Sequence, residues 1–176
     1  MRRTWNAASI VILAALIAIT TVLTMLVRVP VAPTRGYIHL GDTGVYFSAF
    51  AFGPIIGALA GGLGTGLADL LSGYAYYAPI SFVVHGLQGL LAGYLAYRAA
   101  IGRQILGWVL GSLVMIAGYF LAELILYGVG AALVEVPGNI IQAAVGGVIA
   151  IPLVAAIRRA WPPIDTLGQP RSWEER

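Results

Sequence analysis

The chain has 176 residues, enough for one domain; 60% are hydrophobic and 10% charged, and the mean hydropathy is +0.90. A soluble domain carries roughly 25% charged residues, so this chain cannot cover a water-facing surface and reads as an all-α integral membrane protein whose solvent is lipid. The absence of cysteine excludes disulfides and thiolate chemistry, the absence of lysine excludes a Walker A phosphate loop, and the net charge of +3 comes from arginines at the ends of apolar runs rather than from a nucleic-acid-binding face.

Apolar runs of about 20 residues cross a bilayer as helices. The first predicted span runs from about Ser9 to Val29, and Val31 to Leu40 reads as a loop, with Pro30, Pro33 and Gly36 as breakers. The apolar stretch from Thr43 to Leu71 is too long for one span. Its glycines and Pro54 divide it into two short helices, roughly 43–58 and 61–72. After a second loop from Ser72 to Pro79, a fourth span covers Ile80 to Tyr97, a fifth Gln104 to Tyr127 and a sixth Pro137 to Ile157, with Pro137 suited to a first helical turn. Residues 1–160 thus read as a six-helix transmembrane domain and 161–176 as a polar, loosely ordered tail. The first apolar run is too long for a cleaved signal peptide and no small-x-small cleavage site follows it, so it is read as a helix.

Arginine counting orients the bundle. With six spans, Arg2, Arg3, Arg98, Arg103, Arg158, Arg159, Arg171 and Arg176 fall on one side, and Arg28 and Arg35 on the other. Both termini are therefore expected in the cytoplasm. The tryptophans gather on the arginine-rich side, and Tyr37, Tyr74, Tyr76, Tyr77 and Tyr127 on the opposite one.

Ionisable groups inside a membrane are costly and mark function. Placed by depth, Asp42, Asp69, His85, Gln88, Glu123, Asn139 and Gln142 share one layer in the outer half of the bilayer, beneath the tyrosine-rich loops. This pattern predicts a cup open to the outside with an apolar floor, not a pore lined from face to face. Structural roles compete at each position: Asp42 as the N-cap of the second helix, Asp69 and Glu123 paired with Arg28 or His85, Asn139 satisfying a helix start, and Gln88 and Gln142 joining helices. A second pattern is the small-x-x-x-small spacing at Gly53, Gly57 and Gly61, at Gly89 and Gly93, and at Ala14 and Ala18, which lets helix backbones approach closely.

Enzyme readings find little support. His39-Leu40-Gly41-Asp42 lacks the first glycine of an intramembrane aspartyl protease motif, Gly111-Ser112 does not match a rhomboid-type serine, and His39 and His85 are too few for a metal site. A stand-alone secondary transporter would want inverted repeats with helices broken at mid-membrane, and the two halves show no clear repeat. A purely structural bundle is the remaining alternative.

The runs Gly36-Tyr37-Ile38-His39-Leu40-Gly41-Asp42, Phe52-Gly53-Pro54-Ile55-Ile56-Gly57-Ala58, Ala68-Asp69-Leu70-Leu71-Ser72-Gly73-Tyr74, Tyr77-Ala78-Pro79 and His85-Gly86-Leu87-Gln88-Gly89-Leu90 resemble the S components of energy-coupling factor (ECF) transporters, in the riboflavin- or hydroxymethylpyrimidine-type branch. The likeness in letters covers about residues 36–97, and in architecture the six short spans. It implies a non-enzymatic subunit without a cofactor, in the plasma membrane of a prokaryote. Such a subunit captures a small vitamin or precursor (hydroxymethylpyrimidine, a pyridoxine-like ring or riboflavin) from outside. It then docks on a membrane coupling (T) subunit carrying two cytoplasmic ATPases, topples, and releases its ligand inside. The resemblance also implies a docking role for Ala14 and Ala18. By position it implies ligand contacts at Tyr37, His39, Tyr74, Tyr76, His85, Gln88, Tyr119, Glu123, Asn139 and Gln142.

Overall fold

The computed structural model describes residues 7–167. Six helices follow one another: α1 (Ala7–Leu26), α2 (Gly41–Phe52), α3 (Pro54–Ser72), α4 (Ala78–Ala96), α5 (Ile101–Tyr127) and α6 (Val129–Ala160). All except α2 are long and apolar enough to cross a membrane. Between α1 and α2 the chain forms an antiparallel hairpin, β1 (Arg28–Val31) and β2 (Gly36–His39), in which Arg28 faces His39 and Val31 faces Gly36.

At 12 residues, α2 spans only about 18 Å, well short of a hydrocarbon core of about 30 Å. It lies inside the bundle rather than in its wall. Ten of its residues are buried, including Asp42, Tyr46 and Phe50, and it touches α1, α3, α4 and α6. The other five helices surround it in the order α1, α3, α4, α5, α6. Their outer faces carry exposed Val11, Val22, Leu71, Val83, Leu113, Ile125 and Ile141, as lipid contact requires.

Several expected boundaries move. The first span ends at Leu26, so Arg28 lies on the hairpin, and the segment expected as a loop carries β2. The break between the second and third helices falls at Gly53, not between residues 58 and 61. Gly53 has φ 94° and ψ −177°, a backbone state open to glycine, and Pro54 then starts α3 with the amide it lacks left out of the ladder. The glycines from Gly57 to Gly66 stay helical because they serve contact rather than termination. Gly57 and Gly89 meet so closely that a Cβ on Gly57 would stand 2.9 Å from the Gly89 carbonyl oxygen. In lipid, where burial of apolar surface gives helices little reason to associate, such close approach supplies much of the attraction.

The sixth helix begins at Val129 rather than Pro137, which stands inside it. Glu135 is thereby brought into the bundle. Of the expected tail, residues 162–166 form a 3-10 helix that buries Ile164 beside Phe50, and Arg158 clamps this segment by donating to Asp165 at 3.0 Å and to the Phe50 carbonyl at 3.0 Å. The remainder of the tail, with Arg171 and Arg176, and the N-terminal Arg2 and Arg3 lie outside the described residues.

Candidate functional site

The helix directions carry Asp42, at the start of α2, to the same end of the bundle as Asp69, near the end of α3. His85 and Gln88 arrive there from the first turns of α4, Tyr119 and Glu123 from the last turns of α5, and Glu135, Asn139 and Gln142 from the first half of α6. All nine are buried. The polar layer expected from depth is therefore present, directly under the hairpin.

Asp42 is its hub. It does not cap α2; Leu40 holds the N-cap position, and Asp42 stands in the first turn, where the helix dipole favours an acid. Both carboxylate oxygens accept amide hydrogens, Oδ2 from Gln88 Nε2 at 2.8 Å and Oδ1 from Gln142 Nε2 at 2.9 Å. Each glutamine then passes the contact on. Gln142 Oε1 accepts from the His39 backbone N–H at 2.8 Å, and Gln88 Oε1 lies 2.6 Å from His85 Nδ1. His39 Nδ1 accepts from the Gly41 N–H at 3.0 Å. Burial holds the His39 imidazole well below its ordinary pKa, with His85 adding to the effect, so the ring is neutral and can accept this bond. Gln88 and Gln142 thus join α2, α4, α6 and β2.

Beside this network lies a small cavity walled by Tyr37, His39, Asp69, Tyr77, Tyr119 and Glu135. Its volume is about 10 Å³, room for about one water. The expected cup is thus narrowed to this small space. Tyr37 donates to Asp69 Oδ1 at 2.6 Å, and Ser81 and Tyr119 share a 2.6 Å hydrogen bond across the wall. Burial, reinforced by Asp69, raises the Tyr37 phenol above its ordinary pKa and keeps it a donor. Tyr77 donates to the Thr34 carbonyl at 3.0 Å and Tyr76 to the Arg35 carbonyl at 2.8 Å, so the α3–α4 loop clasps the hairpin tip over the cavity.

Among the described residues, several buried polar atoms of this layer have no hydrogen-bond partner: Asp69 Oδ2, His85 Nε2, both oxygens of Glu123, Glu135 Oε2 and Asn139 Nδ2. Leaving a buried polar atom unpaired costs about 1–3 kcal/mol each. They gather in the one buried layer beneath the hairpin. The larger apolar groove between α4 and α5, lined by Val83, Leu87, Val114 and Ala122, offers no such groups and faces outward.

Of the ten expected contact residues, Tyr37, His39 and Tyr119 line the cavity. His85, 5.5 Å from Tyr119 and 5.4 Å from His39 between ring centroids, stands next to it. Tyr74 packs on Tyr37 with ring centroids 4.6 Å apart. Glu123 and Asn139 are buried in the same layer, while Gln88 and Gln142 are committed to Asp42. Tyr76 is exposed and reaches the hairpin tip, not the cavity; partial burial, with Tyr127 adding to it, pushes its phenol up to about 12. Asp69 pairs with Tyr37 rather than with Arg28, and Asn139 stands inside α6 rather than at its start. The expected set omits Tyr77, Ser81 and Glu135. Glu135 escapes sequence reasoning because Pro137 reads as a helix start, and Tyr77 because nothing in a loop of tyrosines says which one turns inward. Ala14 and Ala18 lie exposed on the outer face of α1.

A sequence model of the ECF-type riboflavin transporter S component matches residues 4–159. The chain is 37% identical over 155 residues to the thiamine precursor transporter HmpT of Lactococcus lactis subsp. cremoris, covering 88% of this chain and 90% of the relative. It is 39% identical over 145 residues to a protein of Pyrococcus woesei described as an uncharacterized protein in the gap 3' region, covering 82% of this chain and 97% of that one.

Proposed function

Since this chain belongs to the ECF-type riboflavin transporter S-component family, a family of vitamin transporter subunits, we propose that it is the substrate-binding subunit of an ATP-driven importer in a prokaryotic plasma membrane. Its substrate is a small water-soluble vitamin or precursor. The thiamine precursor named for its Lactococcus relative makes a hydroxymethylpyrimidine-type ring the first candidate, ahead of a pyridoxine-like ring and riboflavin.

One observation carries this reading. Gln104 apart, the buried acids, histidines and side-chain amides gather in a single layer at the hairpin end, walled by aromatic rings and rich in unpaired polar atoms. Flat rings stack on aromatic side chains, and a few placed polar groups set their orientation. In the proposed cycle the hairpin end faces outward and both termini lie in the cytoplasm. Tyr37, His39, Tyr74, His85, Tyr119, Glu123 and Asn139 hold the ligand, and the Tyr76–Tyr77 clasp opens to admit it. Ala14 and Ala18 then meet a coupling subunit, whose paired ATPases drive toppling and release inside. The chain itself has no lysine for a Walker A loop, in keeping with energy supplied by a partner.

The test is the thermal stability of the purified protein in detergent against B vitamins, their precursors and nucleobases. A ligand that binds only the folded protein raises its melting temperature with concentration. One strong, specific shift is expected; no shift across the panel would overturn the binding role.

A further inference from the structure

The hydrogen-bond chain from Asp42 has a direction. Because both Asp42 oxygens act as acceptors, Gln88 must turn its NH2 toward Oδ2, which leaves Gln88 Oε1 facing His85 Nδ1 at 2.6 Å. A carbonyl oxygen can only accept, so Nδ1 carries the hydrogen. In the neutral ring Nε2 is then a bare lone pair. That atom is fully buried and has no partner in the protein. Among the described residues of the same buried layer, the unpaired atoms of Asp69, Glu123 and Glu135 are carboxyl oxygens, and only Asn139 contributes an unpaired side-chain N–H donor. Among the described residues, no arginine lines the cavity.

We infer that Asp42, acting through Gln88, sets His85 as a hydrogen-bond acceptor toward the ligand, so that the site selects an amine-bearing heteroaromatic ring and rejects phosphorylated or carboxylated compounds. The inference rests on the proposed binding role. His85 meets the ligand; Asp42 and Gln88 are positioning residues. An amine donates where the site accepts. An oxo group in the same place sets acceptor against acceptor, and an anion meets carboxyl groups with no arginine in the cavity wall to neutralise it.

The experiment compares 4-amino-5-hydroxymethyl-2-methylpyrimidine, its 4-oxo counterpart and its phosphate monoester by calorimetry on the purified full chain, with riboflavin and pyridoxine alongside. Sites built to hydrogen-bond an N–H reject analogues lacking it by large factors. The amine is therefore expected to bind at least about 100-fold more tightly than the oxo compound, with the monoester not bound. In Asp42→Asn the new amide can donate to Gln88 Oε1. Gln88 then turns its NH2 to His85 Nδ1, and the ring hydrogen moves to Nε2. The amine-to-oxo preference is expected to fall to within about 10-fold or to reverse, an outcome that mere loss of structure would not produce. If that variant does not fold, nitrogen-15 NMR of the wild-type protein decides, since the chain has only two histidines. A hydrogen on His85 Nδ1 alone supports the inference, and one on Nε2, with or without Nδ1, overturns it. Equal binding of amine and oxo compounds, or tight binding of the monoester, overturns the selectivity while leaving the binding role intact. Failure of every compound to bind overturns the binding role itself.

Discussion

Gln142 Nε2 donates to Asp42 Oδ1 across 2.9 Å, joining residues 100 positions apart, while the same side chain receives the His39 backbone N–H at 2.8 Å. One amide therefore holds the last helix to the central helix and to the hairpin that roofs the cavity. In a bundle surrounded by lipid, this is the kind of contact that specifies how helices sit against one another.

Replacing Gln142 by leucine should be costly. It leaves a buried carboxylate oxygen and a buried backbone N–H without partners, each worth about 1–3 kcal/mol. We expect Gln142→Leu to lose about 2–5 kcal/mol of stability, read as a lower melting temperature in detergent. An unchanged melting temperature would refute the role of Asp42 as hub.

The Gly57–Gly89 contact gives a prediction of the opposite kind, too much bulk. A Cβ on Gly89 would collide with the Gly57 backbone, and no flexible side chain is available to yield. Overpacking of this sort costs about 1–3 kcal/mol. Gly89→Ala should therefore melt lower than wild type, whereas Gly102→Ala, with nothing within 4 Å, should not. Equal behaviour of the two variants would count against close α3–α4 approach.

His39 should make stability depend on pH. Its folded pKa lies well below the unfolded value of about 6.5, because burial disfavours the charged ring and His85 adds to this. Between the two values the unfolded chain binds the extra proton, so stability rises with pH there. The His39 contribution is complete above about pH 6.5 and is lost as the pH falls below it. A melting temperature that declines from pH 7 to pH 5 is expected, and His39→Asn, whose carbonyl can take the Gly41 N–H without titrating, should flatten that decline. A slope unaltered by the substitution assigns it to another group.

Tyr77 should govern how long a ligand stays. Its hydroxyl holds the Thr34 carbonyl from a buried position. A hydrogen bond of this kind is worth about 0.5–1.5 kcal/mol, or about 2- to 12-fold in a rate. Tyr77→Phe is expected to speed ligand release by that factor, with a melting temperature lowered by less than in Gln142→Leu. An identical release rate would remove Tyr77 from the clasp.

Ala14 and Ala18 separate binding from transport. Both are exposed on α1, where a larger side chain can extend away from the bundle. The double variant Ala14→Leu, Ala18→Leu should bind ligand as wild type does, yet lose uptake in cells expressing the coupling module. Normal uptake would refute the docking role.

The parts of the fold that could be read in advance are those with local causes. The apolar runs locate α1, α4 and α5 to within a few residues because hydrocarbon thickness sets span length. The depth of Asp42, His85, Glu123 and Gln142 follows from counting residues along a helix. Where local signals conflict, the reading fails. Gly61–Gly66 reads as a break but is an interface, and Pro137 reads as a start but lies within α6, which keeps Glu135 out of the expected site.

The sequence by itself determined the solvent, the number of helices and the height at which each polar group sits. It could not determine which polar groups meet. In water a helix announces its inward face by being apolar on one side, but in lipid both faces are apolar, and the rotation of each helix is set only by contacts with its neighbours. Only the tertiary structure decided that Asp42 collects Gln88 and Gln142, that Tyr77 rather than Tyr76 turns inward, and that the hairpin lies over a cavity of about 10 Å³. Close glycine contacts fix those rotations, and the hydrogen-bond partners follow from them.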